Sequence, residues 1–282
     1  MNKNARIYVA GHRGLAGSAV TARLQSLGFS GLILRERAQV DLENQQAVAE
    51  FFRKERPEYV IQAAAKVGGI KYNSSFPADF IYSNLAISLN VIHSAREYGA
   101  KRLIFFGSSC MYPKLAPQPM VEDLVLSGPV EPTSLPYAVA KIAGVKLCEA
   151  YNRQHNTGFL PVIPATLYGP HDSFDPDRSH VLPALILRAH QAKISGAPSI
   201  TIWGSGLQRR EFLYVEDLVD AVLMLLDRDG YTELTNIGAG TDVPIRELCG
   251  IISGVVGYKG ALQFDASKPD GAHQKLLNSS KL

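Results

Sequence analysis

Runs of apolar residues alternate with amphipathic segments along the first half of the chain. RIYVAG, residues 6–11, predicts a buried strand, and AGSAVTARLQSLG after it has apolar residues three to four apart, which predicts a helix. GLILRE, YVIQAAA and RLIFFGS repeat the strand pattern, separated by segments of helical length. This alternation favours a parallel sheet covered by helices on both faces. We therefore expect an α/β fold with a doubly wound parallel sheet.

The pattern changes in the second half of the chain. MYPKLAPQPMVEDLVLSGPVEPTSLP holds six of the 16 prolines, which predicts an irregular excursion. After about residue 167 the periodicity becomes irregular, through YGPHDSFDPDRSH, ITIWGSG and REFLYVEDLVDAVLMLL. We interpret residues 1–166 as the sheet domain, to which 211–240 return, and 167–282 as mainly a smaller C-terminal lobe that binds substrate.

The composition is that of an ordinary globular protein of 282 residues, 46% hydrophobic and 20% charged. The net charge of +3 is small and unclustered, so we expect no nucleic-acid partner and no membrane partner. The N-terminus MNKNARIYVAG lacks the apolar core and cleavage site of a secretory signal, and no apolar run reaches about 18 residues. These features predict a cytoplasmic location.

The three cysteines, Cys110, Cys148 and Cys249, are odd in number and far apart. Their spacing fits neither a disulfide framework nor a zinc site, and we expect no metal. We interpret Cys148 and Cys249 as small buried packing residues. Cys110 differs, because in FFGSSCMYPK it follows a strand end and two serines, where the chain should turn outward.

A glycine-rich turn lies between the first predicted strand and helix, with the sequence Gly11-His12-Arg13-Gly14-Leu15-Ala16-Gly17. Glycines there permit a tight turn, close approach of the backbone to a pyrophosphate, and packing of the helix on the sheet. The helix N-terminus adds amide donors and a favourable dipole. A turn without a ligand is the alternative. We predict that these seven residues hold the phosphates of a dinucleotide on a Rossmann-type domain.

The end of the second predicted strand selects between the two nicotinamide cofactors. An acidic side chain there would accept from the ribose of NAD, whereas arginine accommodates the 2′-phosphate of NADP. The strand ends Arg35-Glu36-Arg37, and Arg13 lies in the glycine turn. Glu36 is compatible with NAD, but several guanidiniums suit a dianionic phosphate better. We predict NADP(H), bound through Arg13 and Arg37, and expect at least one of Arg35 and Arg37 to be only a solvated charge.

A tyrosine and a lysine four residues apart, Tyr137 and Lys141, open the helical stretch SLPYAVAKIAGVKLCEAYNRQ. Residues four apart share a helix face, so we expect the ammonium to lie near the phenol and to lower its pKa. Such a phenol can exchange a proton with a carbonyl that a strand-end serine holds. With the glycine turn and FFGSSC, the pair is typical of a short-chain dehydrogenase/reductase.

Over most of its length the sequence resembles the GDP-L-fucose synthase family, the bifunctional epimerase-reductases among the extended short-chain dehydrogenases/reductases. The resemblance is specific in AGHRGLAGSAV, AAAKVGGI, PADFIYSNL, GSSCMYPKLAPQPM, EPTSLPYAVAKIAGVKLCEAYNRQ, LYGPHD, WGSG, REFLYVEDL and FDASKPDG. It implies NADPH-dependent conversion of GDP-4-keto-6-deoxy-D-mannose to GDP-L-fucose, by epimerisation at C3 and C5 and reduction at C4. It also implies a homodimer, which the apolar residues on more than one face of the Tyr137 helix would suit.

Five catalytic residues are implied by this resemblance. The C4 ketone acidifies the protons at C3 and C5, so each inversion needs a base and, on the opposite side, an acid; Cys110 is the implied base and His180 the implied acid. In the reduction Tyr137 would protonate the alkoxide, Ser108 would hold the carbonyl, and Lys141 would hold the nicotinamide ribose. The alternatives are a packing role for Cys110 and a helix-end position without chemical duty for His180.

The resemblance also implies binding residues. Cofactor contacts are expected, beyond the glycine turn, Arg37 and Lys141, at Asp41, Leu42, Ala64, Phe106, Gly107, Ser109, Pro164, Ala165, Thr166, Leu167 and His180. Substrate contacts are expected at Arg188, Trp203, Arg210, Asp270 and, more weakly, Lys275. Two arginines suit the diphosphate of GDP, and an indole can lie against a sugar or base, although core packing of the single tryptophan is an equal alternative.

Two departures from the family bear on the substrate. Thr166 stands in PATLYGP where the family usually has asparagine, and its hydroxyl has a shorter reach than an amide. The chain between Leu226 and Asn236 is also shorter than in relatives. The rival hypotheses are a sister enzyme for a related GDP-keto-deoxy sugar, such as one leading to colitose, and a non-catalytic NADP-binding regulator. Such a regulator should have lost Tyr137, Lys141 or Ser108, and all three are present.

Overall fold

Parallel strands alternate with helices through the first part of the chain, in a computed structural model that describes residues 1–176, 178–268 and 270–282. The helices and strands, in chain order, are β1 (Ile7–Ala10), α1 (Leu15–Ser26), β2 (Leu32–Ile33), α2 (Gln45–Glu55), β3 (Tyr59–Gln62), α3 (Ile70–Ser75), α4 (Pro77–Glu97), β4 (Arg102–Phe106), α5 (Leu135–His155), β5 (Gly158–Pro164), β6 (Thr166–Tyr168), α6 (Val181–Ser195), β7 (Ser199–Trp203), β8 (Arg209–Tyr214), α7 (Val215–Asp227), β9 (Thr235–Ile237), β10 (Asp242–Pro244), α8 (Ile245–Val256), β11 (Ala261–Asp265) and β12 (Gln274–Lys275).

The main sheet has six strands in the order β2-β1-β3-β4-β5-β9, and all neighbouring pairs are parallel. Strands β1, β3, β4 and β5 are buried along almost their whole length, because helices cover both faces of the sheet. The strand order reverses between β1 and β3, the place where open α/β sheets bind ligands. The predicted doubly wound α/β fold is confirmed.

The second predicted strand is shorter than its sequence suggests. Only Leu32 and Ile33 of GLILRE pair with β1, so β2 is a two-residue edge strand. After it Arg35 turns towards α2, where its guanidinium bonds Glu55 at 2.6 Å and the carbonyl of Leu34 at 2.8 Å. With a neighbour on one side only, nothing holds the later residues of GLILRE in the sheet.

The proline-rich excursion is irregular, as its composition predicts. It contains two 3-10 turns, Glu122–Leu124 and Pro132–Ser134, and it connects β4 to α5. The Tyr112, Met120 and Val125 side chains are nevertheless buried in the main hydrophobic core. Met120 ties it to the C-terminal part of the chain, because its amide donates to Leu276 and its carbonyl accepts from Asn278, both at 2.8 Å. This pairing brings the last strand close to the end of β4.

Two smaller sheets lie beyond β5. Strand β8 pairs with β6, β10 and β12, and β7 pairs with β11. Helices α6 and α8 pack on this part of the chain and form a second hydrophobic core with β7, while the larger core surrounds the main sheet. Helix α7 returns to pack on α1, and β9 then completes the main sheet.

The short connection between Leu226 and Asn236 leads directly from α7 to β9. Arg102, buried at the start of β4, donates hydrogen bonds to the carbonyls of Leu225, Arg228 and Tyr231 at 3.2, 2.8 and 2.9 Å. One guanidinium therefore fixes the course of the connection. No helix in the described part of the chain has both the length and the apolar character needed to cross a bilayer.

Candidate active site

A cleft of about 1780 Å³ opens at the carboxyl ends of β1, β3, β4 and β5 and extends to the elements after β6. Its size exceeds that of an ordinary small-molecule site, typically about 300–1,000 Å³, and suits two nucleotides side by side. Every residue predicted above to act on or bind a ligand lies in its wall. The structure thus brings the predicted residues together, while their individual binding roles remain predictions.

The glycine turn has the shape that a pyrophosphate requires. Gly11 has φ +80°, and a Cβ there would come within 2.8 Å of the Ala64 backbone on β3's extension. A Cβ on Gly17 would collide with the Gly11 carbonyl, so the first turn of α1 lies directly on the loop. Gly14 begins the helix without a capping side chain, which leaves the amides of the first turn available to an anion. These residues fit a dinucleotide phosphate.

The three candidate arginines are in different situations. Arg35 lines the cleft, but its guanidinium is engaged by Glu55, as described above. Arg13 pairs with Glu36 at 2.9 Å, and both side chains are exposed at the mouth of the cleft. Arg37 is exposed as well and pairs with Asp41 at 3.4 Å and with Glu43 at 3.0 Å. Exposed ion pairs are weak, so Arg13 and Arg37 can turn to a 2′-phosphate at little cost.

Ser108 and Cys110 lie directly after the end of β4. Ser108 is extended and begins a 3-10 turn, Ser109–Met111, and its hydroxyl oxygen accepts from the Cys110 amide at 3.2 Å. The same hydroxyl is hydrogen-bonded to the phenol of Tyr137 and to the Cys110 thiol. The spacing in the sequence cannot distinguish the two adjacent serines as partners of the phenol. The structure does, because Ser108 is the one that faces Tyr137.

Lys141 and Tyr137 lie on one face of α5, but their electrostatics differ from the expectation. Burial raises the pKa of Tyr137, and the Cys110 side chain raises it further, while the Ser108 hydrogen bond opposes both. Lys141 is only 3% exposed, and burial lowers its pKa to about 8. Its ammonium donates to the Phe106 carbonyl at 2.7 Å and lies 5.7 Å from the Tyr137 ring centroid. The expected lowering of the tyrosine pKa by Lys141 was wrong: burial has the largest effect on this pKa and raises it, so the phenol keeps its proton.

The Cys110 thiol is the acidic exception among the cysteines. Burial opposes its ionisation, but the charge of Lys275 and hydrogen bonds from Ser108, Ser134 and Lys275 together lower its pKa. The Lys275 ammonium lies 3.4 Å from the sulfur. Buried Cys148 and Cys249 have raised pKa values instead, Cys249 to about 11. The thiol at position 110 is thus in the environment that favours a thiolate.

His180 faces the same cleft from the N-terminus of α6, where it is the residue before the first helical turn. It remains accessible to solvent, yet the cleft walls crowd its ring, so that burial lowers its pKa while Asp172 raises it. Asp172 comes from the loop after β6, where His171 takes a left-handed φ of +67°. One Asp172 oxygen accepts from the Ser173 amide at 2.8 Å; the other is buried without a hydrogen-bond partner among the described residues.

The predicted substrate residues line the far end of the cleft. Trp203 is 45% exposed there, which excludes the alternative of core packing. Arg210 is held by the carbonyls of Arg209 and Asp270, at 2.8 and 3.4 Å. The Asp270 carboxylate accepts from the amide and the hydroxyl of Ser205, at 2.7 and 2.8 Å, so in this structure it shapes the loop beside the cleft.

Arg188 and Thr166 complete the predicted set. Arg188 is exposed, and its guanidinium reaches the Thr201 carbonyl at 3.4 Å. Thr166 begins β6 and pairs in register with Phe212 at the cleft wall. Three further cleft residues were not assigned from the sequence: Ser134 and Glu131 beside Cys110, and Asp172 beside His180. Asp172 stands in the family-like motif LYGPHD, which was the only indication of a role.

Comparison with known proteins gives consistent matches. The sequence profile of the NAD dependent epimerase/dehydratase family matches residues 7–238. GDP-L-fucose synthase 1 of Arabidopsis thaliana is 54% identical over 100% of this chain and 87% of its own length. GDP-L-fucose synthase of Escherichia coli (strain K12) is 50% identical over 98% of this chain and 89% of its own length.

A solved structure with bound NADP also superposes on the whole chain. The GDP-mannoheptose C4 reductase from Campylobacter jejuni has a TM-score of 0.90 and is 38% identical, covering 100% of this chain and 92% of its own. The glycine turn, the Tyr137–Lys141 pair and these matches agree, and the chain belongs to the NAD dependent epimerase/dehydratase family of extended short-chain dehydrogenases/reductases, in the branch of proteins named GDP-L-fucose synthase.

Proposed function

We propose that this protein converts GDP-4-keto-6-deoxy-D-mannose to GDP-L-fucose with NADPH, by epimerisation at C3 and C5 followed by reduction at C4. One observation carries the proposal: an acidic thiol, Cys110, and an imidazole, His180, share a cleft with the Ser108–Tyr137 pair. The first two suit proton transfer at carbon, and the second two suit a carbonyl. The names of the relatives support a GDP-sugar as the substrate.

The cofactor end of the cleft suits NADP(H). NADPH, when bound, supplies the hydride that reduces C4. The amides at the start of α1 would hold its pyrophosphate, and Arg13 and Arg37 would meet the 2′-phosphate. Lys141, buried behind the phenol, would donate to the nicotinamide ribose as well as to the Phe106 carbonyl. The NADP-bound neighbour supports this choice of cofactor.

Epimerisation requires a base and an acid on opposite sides of the same carbon. The Cys110 thiolate takes the proton, so that a C–H bond breaks and an S–H bond forms, and the electron pair moves onto the C4 oxygen. Ser108 and Tyr137 donate hydrogen bonds to that oxygen. Protonated His180 then returns a proton from the other side, and an N–H bond breaks as the new C–H bond forms. Between the two inversions the Cys110 thiol releases its proton to water and His180 takes one up from water, so the same pair of residues can act at C3 and C5 in turn.

Reduction at C4 needs a proton donor at the oxygen. Tyr137 is suited to this task because its raised pKa keeps the phenol protonated at neutral pH. Ser108 holds the oxygen in place, and the Lys141 cation offsets the negative charge that develops when the proton leaves. A neutral phenol also does not repel the Cys110 thiolate, so the same site can hold a base and an acid at once.

The GDP part of the substrate would lie at the far end of the cleft. Arg210 and Arg188 carry the positive charge that a diphosphate needs, and the exposed face of Trp203 can stack on a sugar or a base. Asp270 would act mainly through the Ser205 loop, since both of its carboxylate oxygens are already bonded there.

The proposal is tested by incubating the protein with the mannose-derived keto-sugar and NADPH in deuterated water. We expect GDP-L-fucose with deuterium at C3 and C5, identified by NMR. Oxidation of NADPH without deuterium at those carbons would instead make the protein a C4 reductase. Activity only with the keto-sugar that leads to colitose would make it the sister enzyme, and inertness with both would leave a cofactor-binding regulator.

A homodimer and a cytoplasmic location are part of the same proposal. Helices α4 and α5 pack side by side. The exposed apolar residues include Tyr82 and Leu89, two helical turns apart on α4, and Leu135 and Val139, one turn apart on α5. A second copy of the chain would cover them. Light scattering at micromolar concentration should give the mass of a dimer; a monomer would reject this part.

A further inference from the structure

Lys275 stands against Cys110 although the two residues are 165 positions apart in the chain. The ammonium nitrogen and the thiol sulfur are 3.4 Å apart, within the range of a hydrogen bond to sulfur. Lys275 and Cys110 also line one small space of about 10 Å³ beside the main cleft, together with Glu131 and Tyr112. A positive charge at this distance favours the ionised form of a thiol.

The pairing of β12 in the sheet fixes the backbone position of Lys275 and the face to which its side chain points. Strand β12 pairs with β8, and Lys275 lies opposite Arg210. The neighbouring Gln274 sends its amide to Asp242 at 2.6 Å, and successive side chains of a strand point to opposite faces. The next residue, Leu276, is fixed by a bond from its amide to the Gln118 side chain at 2.8 Å. The backbone of β12 therefore holds the Lys275 ammonium beside the Cys110 sulfur.

The other charged groups around the thiol strengthen this arrangement. Arg210 on β8 is a second cation whose charge interacts with Cys110. Two carboxylates act on the same arginine: Glu131, from the segment before α5, is paired with Lys114 at 3.2 Å, and Asp270 accepts hydrogen bonds from Ser205. His180, across the cleft, feels the positive charge of Lys275, which together with burial lowers its pKa. The balance of charge at the sulfur is positive.

The hydroxyls at the sulfur act in the same direction. Ser108 and Ser134 are both hydrogen-bonded to the Cys110 side chain, and both can donate to a thiolate. Tyr137, on α5, keeps its proton and so adds no negative charge. Burial alone would raise the pKa of the thiol, as it does for Cys148; the cation and these donors together reverse the direction at Cys110.

We infer that Lys275 is a positioning residue that favours the ionised form of Cys110, in addition to any contact it makes with substrate. The ionised thiol is ready to take a proton from carbon, and after that step the ammonium favours its return to the thiolate. The use of the thiolate in epimerisation rests on the proposed function; the ionisation of Cys110 by Lys275 does not, because it needs no substrate.

The test is the pH dependence of thiol alkylation by iodoacetamide, measured without any sugar. Cys110 dominates the rate because Cys148 and Cys249 are buried, and Cys110→Ser gives the blank. In Lys275→Met we expect the midpoint to rise by about one pH unit, which slows alkylation about tenfold at pH values below both midpoints. Lys275→Arg should stay close to the wild type, since it keeps the charge. Lys66→Met is the matched control, because Lys66 lines the same cleft but bonds Asp79 at 2.9 Å.

Each variant is first checked for NADPH binding by fluorescence, and Lys275→Gln provides a second neutral variant. An unchanged alkylation profile in Lys275→Met or Lys275→Gln, with only a higher KM for the GDP-sugar, would overturn the inference and leave Lys275 as a substrate contact. Loss of NADPH binding in both would also overturn it, since Lys275 would then be needed for folding. A shifted profile in a protein that fails to make GDP-L-fucose would support the inference and reject the proposed function.

Discussion

The buried ammonium of Lys141 donates a hydrogen bond to the carbonyl oxygen of Phe106 at 2.7 Å. This bond ties α5, which carries Tyr137, to the last residue of β4, whose end carries Ser108 and Cys110. Both chemical steps therefore depend on one helix–strand junction. Because burial lowers the pKa of Lys141 to about 8, the charge at that junction is sensitive to mildly alkaline pH.

The first prediction concerns that sensitivity. The pKa of Lys141 is lowered, so its cation is present below about pH 8 and is lost above it, while Tyr137 stays protonated over this range because its pKa is raised. We expect kcat/KM for NADPH, which reports groups of the free enzyme, to fall above about pH 8. Lys141→Arg should lower the rate but remove this inflection, since a guanidinium does not titrate there. An inflection that persists in Lys141→Arg would point to another group.

The second prediction concerns cofactor choice. Arg13→Ala or Arg37→Ala should weaken NADPH far more than NADH, by about 1.5–3 kcal/mol or roughly tenfold and upward, for the loss of one charge-assisted contact. Fluorescence titration with both cofactors measures the difference. Arg35→Ala is the matched control, because its guanidinium is held by Glu55 and should not discriminate between them. Equal weakening of NADPH and NADH by the first two variants would mean that neither touches the 2′-phosphate.

The third prediction concerns the acid, His180. Burial lowers its pKa and the Asp172 carboxylate raises it, so Asp172→Asn should lower the pKa further. The protonated fraction at neutral pH then falls, and the alkaline limit of deuterium exchange at C3 and C5 should move down by up to about one pH unit. Asp172→Glu should restore part of the shift. The idea fails if Asp172→Asn slows exchange equally at every pH, as a purely structural change would.

Much of the fold and of the cofactor site could be predicted because the information is local. The strands β1, β3 and β4 are continuous apolar runs, the glycine turn occupies seven adjacent residues, and Tyr137 and Lys141 are one helical turn apart. Periodicity and short spacing are properties of the sequence itself. The exception is β2, whose length is decided by the number of neighbours a strand has.

What could not be predicted depends on the packing of distant segments. Lys275 meets Cys110 through a two-residue strand that no periodicity reveals, and the Arg35 guanidinium is paired with a glutamate on the next helix. The direction of the Tyr137 pKa was wrong for the same reason. A neighbouring cation can be inferred from spacing, but the amount of burial that opposes it cannot.

The last prediction concerns the base, Cys110. Cys110→Ser places a side chain of similar size beside Lys275. A serine hydroxyl is far less acidic than a thiol, however, and is a poor base without an activating partner. We expect deuterium exchange at C3 and C5 to fall by about 100-fold or more, the usual contribution of a general base. NADPH binding should not change, and the variant should slowly reduce the unepimerised 4-ketone to a product of the wrong stereochemistry.

Two further variants make this result decisive. Tyr137→Phe should do the reverse, exchanging the protons at C3 and C5 while failing to reduce C4, because it keeps the thiolate and loses the proton donor. Cys249→Ser, in the second hydrophobic core, is the matched thiol control and should retain both activities in whatever fraction remains folded. NMR of the products in deuterated water separates these outcomes. If Cys110→Ser keeps full exchange at both carbons, the base lies elsewhere, and the thiol beside Lys275 serves only packing.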